Sequence, residues 1–160
     1  MLTALNIKAR GDEVALPHYE EPEFTGNAAL FPLHLVPFHV ITLLNEQAAK
    51  TPALLEMVGF RNQMRWDSWV EINPVTASKL DIRNGDIVWV ESARGKFKTK
   101  ARIFAGAMPG VIVIPFGMGH TSGTYAESHG VNPNLIIAPQ IDPLTGVTQD
   151  LSTKVKVYKA

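Results

Sequence analysis

The chain has no cysteine. Disulfides, cysteine-ligated iron–sulfur clusters and thiolate zinc sites are therefore excluded. Charge of one sign is missing too: Lys+Arg and Asp+Glu both number 15, so the formal net charge is zero. That removes the electrostatic case for nucleic acid or an anionic membrane surface as the main partner. No apolar run reaches the roughly 18 residues that a spanning helix needs, so no direct membrane insertion is expected. The opening stretch Met1-Leu-Thr-Ala-Leu-Asn-Ile-Lys-Ala-Arg10 shows no recognisable export signal. The compartment stays open, cytoplasmic or membrane-associated through partners. Ser68, Ser122 and Ser128 lack a nucleophile-elbow context, and no HExxH spacing occurs.

What is present suits one domain with a single sizeable core: 160 residues, 46% of them hydrophobic. Residues 1–28 are Pro- and Glu-rich and are expected to form an extended N-terminal arm; residues 29–160 are expected to form the folded domain. A first strand over 30–36, apolar on both faces, should be buried on both sides. Asn45 starts a capped helix, and Thr51-Pro52 restarts it, with Gly59 as the stop. Asn73-Pro74 repeats that cap logic ahead of a short helix over 75–80. Asn84-Gly85 is a turn dipeptide. Strands follow over 87–91 and 97–103. In the second of these Phe97, Thr99, Ala101 and Ile103 should face in, and Lys98, Lys100 and Arg102 out. Residues 108–110 form a turn and 111–114 a buried strand. A long, ordered, glycine-bearing loop fills 115–133. Strands over 135–137 and 154–158 close the chain. Many short strands with little helix argue for a closed barrel.

Candidate binding residues gather in that long loop. Gly117-Met-Gly119-His120 follows a strand. It reads either as an anion nest, in which glycines let amides converge, or as a glycine-rich barrel corner. It lacks the P-loop pattern and the dinucleotide fingerprint. Asn132 and Asn134 flank Pro133; each amide offers donor and acceptor and could read a guanine or pterin edge, and turn chemistry accounts for the same residues. His39, His120 and His129 are too widely spaced to argue for a metal site, and a histidine donating to phosphate is the better reading of His120 or His39. Trp66, Trp69 and Trp89 read as core or interface residues, because basic residues do not interleave with the aromatics.

Five blocks occur in an order that resembles a known domain: Glu71-Ile-Asn-Pro, Asn84-Gly-Asp-Ile-Val-Trp-Val-Glu-Ser92, Pro109-Gly-Val-Ile-Val-Ile-Pro, Gly117-Met-Gly-His and Gly130-Val-Asn-Pro-Asn. They resemble the C-terminal pterin-dinucleotide-binding domain of the dimethyl-sulfoxide-reductase family of molybdenum/tungsten oxidoreductases. Leu16-Pro-His-Tyr-Glu-Glu-Pro and Phe31-Pro-Leu-His-Leu are similar to the lead-in of the polysulfide/thiosulfate reductase and alternative complex III group. The resemblance runs from about residue 16 to 158. It implies a mainly β fold, a six-stranded double-psi β-barrel like that of aspartate decarboxylase, with short helices. It also implies a molybdopterin guanine dinucleotide cofactor carrying molybdenum or tungsten, shared with a large catalytic subunit or further domains. Carried over by motif, the cofactor contacts are Pro37, Phe38, His39 and Asn45, then Gly117, Gly119 and His120, then Asn132 and Asn134. No catalytic residue and no metal ligand is implied in this chain. The sequence departs from the family pattern at Asp81, where glycine is usual, at Asn84, where aspartate is usual, and at Thr124, where arginine is usual. A missing guanidinium removes a natural phosphate partner.

Three readings follow. The chain is a cofactor-binding piece of a molybdenum oxidoreductase, not competent alone, whose larger partner supplies metal ligand and electron relay. Alternatively it is a cofactor-free structural barrel in a membrane-associated electron-transfer complex. A third reading is a free-standing double-psi barrel enzyme or adaptor.

Overall fold

The structure is a computed structural model that describes residues 16, 19, 21–43, 51–59, 64–122, 124–142 and 145–160. Its strands are β1 (Leu33–Phe38), β2 (Trp69–Ile72), β3 (Ile87–Glu91), β4 (Lys96–Ile103), β5 (Val111–Pro115), β6 (Gln140–Ile141), β7 (Thr148–Gln149) and β8 (Lys154–Lys159). Among the described residues there are also two six-residue helices, α1 (Pro52–Met57) and α2 (Pro74–Lys79), and three short 3-10 turns. The expected six-stranded closed barrel is present, in the order β1-β5-β2-β4-β3-β8. β1 runs parallel to β5 and β2 parallel to β4, while the other four pairings are antiparallel. Parallel neighbours cannot be joined by hairpins, so the chain must cross over the barrel to pair them. Closure leaves the barrel without a free edge.

Local chemistry sets the elements. Asn73 caps α2: its side chain accepts from the Val75 N–H at 2.9 Å, and its amide donates to the Ala107 carbonyl at 2.7 Å. Pro74 stands at the first helical position. Thr51 and Pro52 begin α1 as expected, though Thr51 makes no side-chain cap bond. Gly85 and Gly110 take positive φ in the turns before β3 and β5. Asp81, where the family resemblance puts glycine, also has positive φ, at 53°.

Inward alternation builds the core. Phe97, Thr99 and Ala101 are buried along β4, and Ile103 packs against the same cluster. Leu35, Val70, Ile72, Val88, Val90, Ile112, Ile114 and Val155 are fully buried within the barrel. Each buried aliphatic side chain of this size contributes about 1.5–3 kcal/mol of transfer free energy. A second cluster lies beside the barrel: Leu43, Leu55, Val58, Met64, Trp69, Met118 and Ala126, with Phe38, Val40 and Trp66 against it.

Two strand expectations are corrected. The first strand begins at Leu33 rather than residue 30, and it buries alternate residues rather than both faces. One face packs inward; the other carries His34, Val36 and Phe38 toward partial exposure. Residues 135–137 are not a strand. Leu135 ends a 3-10 turn, Pro133–Leu135, and Ile136 and Ile137 plug the core just after it. A short apolar run reads the same in either role. The capped helix expected at Asn45 lies outside the described residues. Before the barrel, Thr25 pairs with Thr153: its N–H donates to the Ser152 carbonyl at 2.7 Å, and the Lys154 N–H returns to the Thr25 carbonyl at 3.0 Å.

Candidate functional site

The glycine-bearing loop leaves β5 at Pro115 and returns to the barrel at the Asn-rich turn. Met118 and Ala126 anchor it: both are buried in the second cluster against Leu55 and Val58 of the α1 region. Gly117, Gly119 and Gly130 all have positive φ. At Gly119 the reason is contact as well as conformation. A Cβ there would lie 2.2 Å from the Asn132 nitrogen and 2.3 Å from the Val131 carbonyl carbon. The loop therefore lies flat on the 131–132 backbone, which only glycine permits.

This approach creates a polar cleft of about 220 Å³ lined by Gly117, Met118, Gly119, His120, Thr121, Ser122, Asn132 and Asn134. Five of the sequence candidates meet there: Gly117, Gly119, His120, Asn132 and Asn134. Asn132 Oδ1 accepts from the Asn134 N–H at 3.0 Å, which caps the 3-10 turn. The amide nitrogen of Asn132 and the exposed side chain of Asn134 have no hydrogen-bond partner among the described residues. His120 Nε2 is sealed from solvent and has no partner there either. Leaving a buried nitrogen without a partner costs free energy of about 1–3 kcal/mol.

The Gly119 N–H donates to the His129 carbonyl at 2.8 Å, so it is not available to an anion. Gly119 serves the close approach, and His120, Thr121, Ser122, Asn132 and Asn134 bring polar side chains to the cleft lining. Hydroxyls of Thr121 and Ser122, the His120 imidazole and the two asparagine amides offer donors and acceptors for a heterocycle edge or a phosphate.

The first-strand candidates lie elsewhere. Pro37 and His39 border a cleft of about 410 Å³ with Phe116, Thr148, Gln149, Asp150 and Leu151. Phe38 and His39 border a larger apolar cleft, about 830 Å³, whose wall includes Trp69, Glu71 and Arg102. His39 lies against the Phe116 ring, 5.3 Å between centroids. The Phe116 N–H donates to the Phe38 carbonyl at 2.8 Å, so the ends of β1 and β5 stay together. Candidates of the first strand and of the loop thus share one end of the barrel without sharing a cleft. Asn45 lies outside the described residues. Among the described residues no group of three or more His, Asp or Glu is placed to hold a metal ion, and no helix is long and apolar enough to cross a membrane.

Sequence reasoning missed three sets of contacts beside these clefts. Ser68, fully buried, accepts from the Val131 N–H at 2.9 Å. Trp66, at a φ of 58°, puts its ring 5.0 Å from that of His129 and donates its Nε1–H to Glu56 at 2.8 Å. Glu71 forms a close ion pair with Arg102 and accepts from Trp69 Nε1 at 3.1 Å. A single polar residue beside a strand carries no sequence signal of such a role.

Residues 33–150 match the family model described as the molydopterin dinucleotide binding domain. The arsenate respiratory reductase molybdopterin-containing subunit ArrA of Chrysiogenes arsenatis is 32% identical over 173 residues, an alignment covering 100% of this chain and 20% of that protein. The thiosulfate reductase molybdopterin-containing subunit PhsA of Salmonella typhimurium is 31% identical over 101 residues, covering 62% of this chain and 13% of that subunit. Among solved structures, acetylene hydratase from Pelobacter acetylenicus superposes with a TM-score of 0.70 over 91% of this chain and 21% of that one, at 23% identity. The chain therefore spans about a fifth of the first of these relatives.

Proposed function

Because this chain belongs to the molybdopterin dinucleotide-binding domain family, we propose that it holds one end of the cofactor while a larger catalytic partner supplies the metal ligand and the electron relay. The cofactor is molybdopterin guanine dinucleotide, and when bound it supplies the redox chemistry; the chain binds and orients it. The residues present fit that group. One observation carries the reading: His120, whose Nε2 is buried without a partner, lines a cleft together with Asn132, Asn134, Thr121 and Ser122. A dinucleotide has the acceptors and donors that this set needs. His120 would donate to a phosphate or heterocycle acceptor. The Asn132 amide nitrogen and the Asn134 side chain would read a guanine or pterin edge. Pro37, Phe38 and His39 would meet a second part of the cofactor at the same end of the barrel, with Asn45 as a further contact. Residues 1–28 are proposed as an extended N-terminal arm, of which Thr25 bonds to Ser152 and Lys154.

The test is cofactor retention. The dinucleotide, extracted from a purified molybdoenzyme, should bind the chain and quench its pterin fluorescence. His120→Ala should weaken that binding about tenfold or more, the worth of a buried hydrogen bond to a charged group. Unchanged binding would remove His120 from the site, and no binding by the wild type would end the reading.

A second reading, a cofactor-free structural barrel in an electron-transfer complex, draws on two facts. The Gly119 N–H and Asn132 Oδ1 are both satisfied internally, and Thr124 stands where related sequences usually carry arginine. An assembled complex that lacks pterin entirely would favour it.

A further inference from the structure

We infer that Ser68 is a positioning residue for the cofactor cleft, holding the Asn132–Asn134 turn and the glycine loop in register on the barrel. The inference rests on the cofactor-binding reading above and goes beyond it, because Ser68 does not border the cleft.

Four hydrogen bonds and one close backbone approach converge on Ser68. Its hydroxyl accepts from the Val131 N–H at 2.9 Å and donates to the Val131 carbonyl at 3.4 Å. Its carbonyl accepts from the Thr99 hydroxyl, inside the barrel, at 2.9 Å. Its N–H donates to Asp67 Oδ1 at 2.8 Å. Finally, Gly130 presses on it: a Cβ at Gly130 would lie 2.3 Å from Ser68 Oγ. Ser68 is separated from Val131 by 63 residues, so this is a long-range clamp. Ser68 is also 0% exposed, which shields its side of the clamp from water.

Position explains the consequence. Val131 adjoins Asn132, and the Gly119 backbone lies flat on the same two residues. The Gly119 N–H meanwhile bonds to the His129 carbonyl. Displacing the 130–131 backbone would therefore move the asparagine turn and the glycine loop together, and both carry cleft residues. The barrel has its own ladders and core and does not depend on this bond. Misplacing binding groups by a fraction of an ångström costs affinity before it costs stability.

Three variants test it on the full chain: Ser68→Ala, Thr99→Val, which frees the Ser68 carbonyl from β4, and Thr99→Ser, which keeps the hydroxyl. Amide exchange at Val131, thermal unfolding, and affinity for the extracted dinucleotide are measured on each. Ser68→Ala and Thr99→Val should speed Val131 exchange and weaken dinucleotide binding about tenfold, comparable to losing one well-aligned hydrogen bond. Thr99→Ser should restore both, and the melting transition should stay cooperative. Faster Val131 exchange with wild-type affinity would overturn the inference, leaving Ser68 a stability residue only. Unchanged Val131 exchange in both variants would overturn it as well. If Ser68→Ala does not fold, the contrast between Thr99→Val and Thr99→Ser decides. A wild-type chain that fails to bind the dinucleotide would bring down the cofactor reading itself, and this inference with it.

Discussion

Gly119 and Asn132 are in backbone contact: the space a Cβ on Gly119 would need is occupied by the Asn132 nitrogen, 2.2 Å away. The obstacle is main chain, which cannot rotate aside, and Gly119 already has a φ of +80°. Conformation and contact thus demand glycine independently.

Gly119→Ala should therefore be costlier than an equivalent change in an open turn. Gly85 is the control, at φ +89° with nothing within 4 Å of its Cβ position. Gly85→Ala should cost about 1–2 kcal/mol from backbone conformation alone. Gly119→Ala should exceed that, because the loop must lift from the turn, and it should weaken dinucleotide binding too. Urea unfolding of both variants checks the order; equal losses would mean that the close approach carries no energy.

The two asparagines should separate stability from binding. Asn132 caps a turn through its Oδ1, so Asn132→Ala should cost about 1 kcal/mol of stability, as cap losses do. Asn134 is exposed and its side chain bonds to nothing among the described residues, so Asn134→Ala should leave stability within about 0.5 kcal/mol. Both should weaken dinucleotide retention. Thermal unfolding beside fluorescence titration reads both quantities, and retention unaffected by Asn134→Ala would remove that residue from the site.

The Glu71–Arg102 pair is the most enclosed ion pair described, with side-chain exposures of 11% and 26%. Arg102→Met would leave the carboxylate buried with Trp69 Nε1 as its remaining donor. The expected loss is about 2–3 kcal/mol, below the 3–5 of fully buried pairs because Arg102 still meets water. Adding Glu71→Gln to Arg102→Met should recover part of it. Denaturant midpoints of the two single variants and the double variant test this; strictly additive losses would show that the two charges do not interact.

Stability should fall with acidification in two steps. His34, under the edge of Phe24 at 4.5 Å, has its pKa held below the ordinary 6.5 by burial and then by Lys154. The native state thus binds its proton more weakly than the unfolded chain does. The stabilisation is present above pH 6.5 and is lost as pH falls through the lowered native value. His34→Gln should flatten that first step. A later step belongs to carboxylates whose pKa values are also lowered. Asp81 is held down by its hydrogen bond to Lys159, and Glu91 by those to Tyr158 and Lys156. Those contributions are present above the ordinary values of 3.8 and 4.5 and are lost below them. Unfolding free energies of wild type and His34→Gln from pH 7.5 down to about pH 5 check the first step; parallel curves would exclude His34.

Much of the architecture is legible from local chemistry. Asn73-Pro74 caps a helix wherever it is placed, because the cap bond runs to Val75, two residues away. Gly85 and Gly110 mark turns by backbone freedom, and the alternation from Phe97 to Ile103 announces a strand with one inward face. Five candidates near the glycine loop were legible for a similar reason: turn glycines and amides lie within about 20 residues of one another along the chain, so they could hardly end far apart. Other features depended on which segments meet. The run Leu135-Ile-Ile137 has a strand's composition, yet no strand of the barrel is left to pair with it, and it serves as a plug. Lys96 and Lys98 sit 4.6 and 4.8 Å from the Trp89 ring, an arrangement of cations on an aromatic that appears only when β3 pairs with β4. His39 turned toward Phe116 and the neighbouring clefts rather than toward His120, because the register of β1 on β5 sets which way its end faces. Ser68 is the extreme case. Nothing within ten residues of it in the chain hints at Val131, since its role exists only once barrel closure brings two segments 63 residues apart into hydrogen-bond range.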